Sequence, residues 1–196
     1  MKKVAACMEP DELTLLRKVS HRREHAVEFG CGASTLLLLR NGVGALDSVD
    51  SQQAWVTVVS NQPDAAEALR AGRLRMHCVD IGPTRKWGHP LGDEAKDRWP
   101  QYFRAVWHAA LPGPVDFVLI DGRFRVACVL AALLNARPDA VVAFHDFWTR
   151  VEAYGEVLQF LDVVGRAGSL AVLVPRPTPD RARIESLLRH YGNDPA

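Results

Sequence analysis

Glu28-Phe29-Gly30-Cys31-Gly32-Ala33-Ser34-Thr35 joins a short apolar run to a helical one. Gly30 and Gly32 let the backbone turn sharply and approach a ligand with no Cβ in the way. The helix that begins near Ser34 offers unpaired N–H groups to an anionic group. A nicotinamide or flavin fingerprint requires G-x-G-x-x-G, and Thr35 stands where its third glycine would be. Glu28 precedes the first glycine by two residues, which suits a cationic ligand near the strand end. Asp50 follows Gly30 by about twenty residues and closes the next apolar run, the place from which an acid accepts both ribose hydroxyls of a nucleoside cofactor.

Outward from this turn, strand-like runs alternate with helix-like segments. The strands expected are His25 to Phe29, Ala45 to Val49, Leu74 to Val79, Val115 to Ile120, Ala140 to Phe144 and Leu170 to Val174. The helices expected are Pro10 to His21, Ser34 to Asn41, one or two within Gln52 to Ala71, Asp97 to Ala110, Phe124 to Ala136, Val151 to Gly165 and Arg181 to His190. The fourth and fifth strands are almost wholly apolar, as strands covered on both faces are. This alternation predicts a Rossmann-like, doubly wound, mainly parallel α/β sheet of six or seven strands flanked by helices. Its ligand site lies at the carboxyl ends of the strands, near the switch in strand order.

The chain has 196 residues, which suits a single domain with a full core. Its formal net charge of +1 gives no polyanion-binding surface, so nucleic acid is not an expected partner. No apolar run is long enough to cross a bilayer, and no signal-peptide core follows Met1. Cys7, Cys31, Cys78 and Cys128 form no C-x-x-C pair and read as reduced, mostly buried residues of a cytoplasmic protein. The oligomeric state stays open, a homodimer included. The polar stretch Gly82 to Pro100 is the one long loop, rich in tryptophan. Reaching over the strand ends, it reads as a lid, or as a loop pinned down by Trp87 and Trp99.

The ordered motifs resemble those of the class I S-adenosylmethionine-dependent methyltransferases, particularly small-molecule ones. The glycine turn resembles that family's first motif, Val49-Asp50 its second and Val79-Asp80-Ile81-Gly82 its third. Asp116 to Gly122 resembles the fourth-strand motif, and Phe144-His145-Asp146 the fifth-strand ending. The resemblance implies S-adenosylmethionine as cofactor. Glu28 and Gly30 would hold its methionine end, and Gly32 would admit it. Asp50 would hold the ribose; Asp80 and the Ile81 N–H would hold adenine. Trp55 would cover the adenosine or pack in the core. The family's usual seven strands end in an antiparallel hairpin, whereas only one clear strand follows the fifth here.

The resemblance places the chemistry at Asp121, His145 and Asp146, where methyl transfer to an oxygen or nitrogen of a small-molecule acceptor needs mainly positioning. His145 is a candidate general base, because histidine titrates near the operating pH. The His145-Asp146 pair also reads as a hydrogen-bonded closure of the fifth strand. A divalent metal is a further option at these three residues. Metal-dependent O-methyltransferases add an asparagine or another aspartate; no such extra carboxylate is evident, so no metal ligand is assigned. Arg123 and Arg125 flank Phe124, and helical geometry would turn at most one of them to the cleft. Arg123 is the choice, and it favours an anionic acceptor. A non-catalytic or regulatory Rossmann-like binding module and an NAD(P)-dependent oxidoreductase are the competing readings.

Overall fold

In the computed structural model, which describes residues 4, 7–109 and 113–196, the run before the glycine turn forms strand β1 (His25–Phe29). The remaining strands are β2 (Ala45–Asp50), β3 (Leu74–Cys78), β4 (Phe117–Ile120), β5 (Val141–Phe144), β6 (Leu161–Ala167) and β7 (Leu170–Pro175). They make one sheet in the order β3-β2-β1-β4-β5-β7-β6. The first five strands run parallel, and β7 pairs antiparallel with both β5 and β6. Strand order reverses between β1 and β4, so a crevice opens above their carboxyl ends.

The helices are α1 (Pro10–Ser20), α2 (Ala33–Arg40), α3 (Gln53–Ser60), α4 (Pro63–Arg70), α5 (Pro100–His108), α6 (Arg125–Asn135), α7 (Val151–Tyr154) and α8 (Arg181–Tyr191). The pleat of the strands sends alternate side chains to opposite layers. Val27, Phe29, Val118, Ile120, Val142 and Phe144 pack with Phe103 of α5, Ala127 and Leu130 of α6 and Ile184 of α8. Ala26, Phe117, Leu119 and Ala143 pack with Leu16 of α1, Leu38 of α2 and Ala65 of α4. The buried carboxylate of Asp47 ties three strands together. It accepts from His25 Nε2 at 2.7 Å, His77 Nε2 at 2.6 Å and Arg75 Nε at 2.7 Å.

The expected helix from Val151 to Gly165 is overturned. Helix α7 covers one turn, a 3-10 segment covers Gly155–Gln159, and the chain then extends as β6. The β-branched pair Val163-Val164 favours the pleat, and a bulge between Val163 and Gly165 accommodates the extra residue. The expected helix from Asp97 to Ala110 starts later, at Pro100, and its Ala110 end lies outside the described residues. All four cysteines are free; Cys31 and Cys128 are buried, but Cys7 and Cys78 are exposed. Among the described residues, no helix is long and apolar enough to cross a membrane.

Candidate functional site

A cavity of about 630 Å³ lies over the carboxyl ends of β1, β2, β4 and β5. Its walls include Gly30, Gly32, Ser34, Asp50, Trp55, Tyr102, Asp121, Arg123, Arg125, His145 and Asp146. The glycine turn, the second-strand acid and both later strand ends therefore meet in one space.

The two glycines of the turn differ in what they permit. Gly30 has φ 97, and a Cβ there would lie 2.7 Å from the Gly122 Cα and N. It is glycine because the turn after β1 presses against the turn after β4. Gly32 has an extended backbone, and a Cβ there would meet nothing closer than Trp55 at 4.0 Å. Its bareness leaves open space in the cavity wall. Trp55 is oriented by its indole N–H, which donates to the Cys31 carbonyl at 2.7 Å.

Glu28, expected at the cationic end of the ligand, is instead fully buried beneath the turn. It accepts from Ser34 Oγ at 2.5 Å, Thr35 Oγ1 at 2.6 Å and Ser48 Oγ at 2.6 Å. Its position on β1 turns it towards α2, and burial pushes its pKa up to about 7. Asp50 stands in the cavity wall as expected. It accepts from the Gln52 N–H at 2.9 Å and the Cys31 N–H at 3.2 Å, which fix its orientation, and burial raises its pKa. Asp80 is an exposed residue that caps the Gly82 N–H at 2.9 Å and pairs with Arg98. Ile81 is buried, with its carbonyl accepting from Trp99 Nε1 at 3.1 Å. Neither Asp80 nor Ile81 lines the cavity.

At the opposite wall, His145 sits between two carboxylates. Its Nδ1 lies 2.8 Å from Asp121 Oδ1 and its Nε2 lies 3.3 Å from Glu12 Oε2. Burial alone would lower its pKa, but Asp121, Asp146 and Glu12 outweigh burial and raise it. A protonated imidazole with both nitrogens facing carboxylates has no free lone pair, which disfavours it as a general base. Asp146 occupies the left-handed region at φ 60, a strained conformation for a non-glycine residue. Its N–H donates to Ser169 Oγ at 3.2 Å, and Ser169 Oγ donates to Glu12 Oε1 at 2.7 Å.

Asp121, His145 and Asp146 hold ligand-type atoms within 4.8 Å of one another. The guanidinium of Arg125 already stands among them. It donates to the His145 carbonyl at 2.7 Å and to Asp146 Oδ2 at 3.0 Å, with Nη2 3.4 Å from Asp121 Oδ1. A divalent ion would meet this buried cation in the space between the three side chains. The residues therefore do not fit the metal option.

Both Arg123 and Arg125 line the cavity, against the expectation that at most one would. The reason is Phe124, which sits in the left-handed region at φ 53 and breaks helical geometry between them. Sequence reasoning missed His89 as a site residue. It lines the cavity, and Arg123 Nη1 lies 2.7 Å from its Nε2. Burial and the neighbouring arginines, Arg123 first, lower its pKa, so it is neutral near pH 7. Its only sequence signal is its place in the aromatic loop. In that loop Trp99 is a pin, buried against Phe124 with ring centroids 5.6 Å apart. Trp87 is 64% exposed at the cavity rim.

The chain resembles several solved structures. A methyltransferase-like protein from Silicibacter pomeroyi DSS-3 is 29% identical, with a TM-score of 0.82 over 98% of this chain and 99% of that one. An O-methyltransferase from Bacillus cereus, solved with S-adenosylhomocysteine, is 16% identical, with a TM-score of 0.59 over 88% of this chain and 84% of that one. An O-methyltransferase of tomaymycin synthesis from Streptomyces achromogenes, solved with S-adenosylmethionine, is 18% identical, with a TM-score of 0.57 over 88% and 82%. No protein-family model matches the chain, and neither does any curated protein sequence.

Proposed function

Because the chain belongs by its fold to the class I S-adenosylmethionine-dependent methyltransferase superfamily, we propose that it transfers a methyl group from that donor to an oxygen or nitrogen of a small molecule. The observation that carries this reading is the meeting of the Gly30–Ser34 turn and the oriented Asp50 carboxylate in one cavity with the ends of β4 and β5. Asp50 has carboxylate lone pairs to spare for ribose hydroxyls, and Gly32 leaves room beside them. Glu28 acts through the turn, holding Ser34 and Thr35 in place rather than touching the ligand. Neither Asp80 nor Ile81 reaches the cavity, so adenine recognition falls to the wall of Gln52, Trp87 and Tyr102.

The sulfonium supplies an activated methyl group, so the protein's task is orientation and exclusion of water. The acceptor atom forms the new bond to carbon, the carbon–sulfur bond breaks towards sulfur, and the acceptor's proton leaves. Asp121, His145 and Asp146, joined through Arg125, form a wall against which the acceptor is positioned.

The engagement of His145 by carboxylates on both nitrogens also favours a second reading, a binding module that holds the cofactor without turnover. Calorimetric titration with S-adenosylhomocysteine tests the cofactor assignment. Asp50→Ala is expected to weaken binding at least tenfold, about 1.4 kcal/mol. An unchanged dissociation constant, or tight binding of NAD(H) with no S-adenosylhomocysteine binding, overturns it. Binding with no methyl transfer to any acceptor supports the module.

A further inference from the structure

Arg123 is the one basic residue of the cavity wall that is deeply buried without a carboxylate partner among the described residues. It is 6% exposed. Its Nη1 contacts His89 at 2.7 Å and the Pro195 carbonyl at 3.5 Å. Its Nε is buried with no hydrogen-bond partner, and no bond to its Nη2 is formed among the described residues. An unpaired buried donor is costly, and an uncompensated buried charge more so. Arg125, next along the same wall, shows the ordinary solution: its guanidinium is bonded to two carboxylates and two carbonyls.

The charge balance of the wall points the same way. Lys86, Arg123, Arg125 and Arg150 line the cavity against Asp50, Asp121 and Asp146. Asp121 and Asp146 are engaged by Arg125 and His145, and Asp146 also by Arg150 at 3.6 Å. Asp50 lies beside the glycine turn, held by the Gln52 and Cys31 N–H groups. Arg123 is left without a carboxylate partner among the described residues. Resting on the methyltransferase reading, we propose that the acceptor is a small oxyanion-bearing molecule, its carboxylate or phosphate held by Arg123 as counter-ion.

The Nε and Nη2 donors of a guanidinium match two oxygens of a carboxylate or phosphate in a fork that lysine cannot reproduce. Gly88 sits over this arginine, since a Cβ there would lie 3.6 Å from Arg123 Cγ and 3.3 Å from Ser51 Oγ. Gly88 and Trp87, both at positive φ, cover that side of Arg123.

The test is calorimetric titration of protein saturated with S-adenosylhomocysteine, using benzoate, phenyl phosphate and benzamide as probes. Benzoate or phenyl phosphate is expected to bind at least tenfold more tightly than neutral benzamide; the tighter of the two identifies the oxyanion. Arg123→Gln is expected to abolish that preference, and Arg123→Lys to restore only part of it, while both keep the affinity for S-adenosylhomocysteine within twofold. Equal affinity for benzamide, or a preference that survives in Arg123→Gln, overturns the proposal. A loss of S-adenosylhomocysteine affinity in Arg123→Gln also overturns it, by assigning the arginine to the cofactor. Wild-type protein that binds no S-adenosylhomocysteine overturns instead the methyltransferase reading beneath it.

Discussion

Glu28 illustrates how a motif residue can lie fully buried beneath the turn it supports. Three hydroxyl donors face its carboxylate, yet burial dominates and lifts its pKa from near 4.5 to about 7. Between those values the native state keeps a proton that the unfolded chain has lost, so stability falls as pH rises through this window. At about 1.4 kcal/mol per unit, the whole effect is about 3 kcal/mol. Urea unfolding at pH 4 and pH 8 should show this loss in wild-type protein and not in Glu28→Gln. The two glycines of the turn should separate in the same experiment. Gly30→Ala must force a Cβ against Gly122 in a left-handed backbone and should destabilise by more than about 1–2 kcal/mol. Gly32→Ala should fold with nearly wild-type stability but bind S-adenosylhomocysteine more weakly, because its Cβ enters only the cavity.

Among the elements, β4 and β5 were legible because their apolar side chains are buried on both faces and leave an unbroken hydrophobic run. Strand β6 was not. Its Val163 and Val164 are 43% and 59% exposed, and its alternation with Asp162 and Arg166 blends into the helical pattern that precedes it. The site divides in the same way. Asp50 and the turn were readable because a strand end places them, whatever follows. The diversion of Asp80 was not, because its partner Arg98 comes from a loop with no periodicity. Nor was Arg125's position among Asp121 and Asp146, which depends on the left-handed Phe124. Helix α1 reaches the site through Glu12, which accepts from the Ser169 N–H and hydroxyl at 2.7 Å each. Glu12→Gln should cost about 1–3 kcal/mol in urea unfolding. It should also lower the His145 pKa, followed by NMR titration of the imidazole, because one of its facing carboxylates loses its charge.

Across the whole molecule, Arg125 takes the place a cation would hold among Asp121, His145 and Asp146. Treatment with a chelator should leave both the melting temperature and the S-adenosylhomocysteine affinity unmoved, and added Mg²⁺ or Mn²⁺ should raise neither. A drop in either on chelation would show that an ion shares the seat of the guanidinium. The same wall has a temporal side. The carboxylate on α1 that braces His145 is satisfied by Ser169, which lies 157 positions further along the chain. Strand β7, which pairs with β5, is likewise among the last elements to leave a ribosome. During synthesis the first five strands can assemble before the wall beyond them is braced, since long-range pairings pay their closure entropy last. The nascent chain can therefore form the glycine turn and the Asp50 wall before Ser169 is available to brace Glu12.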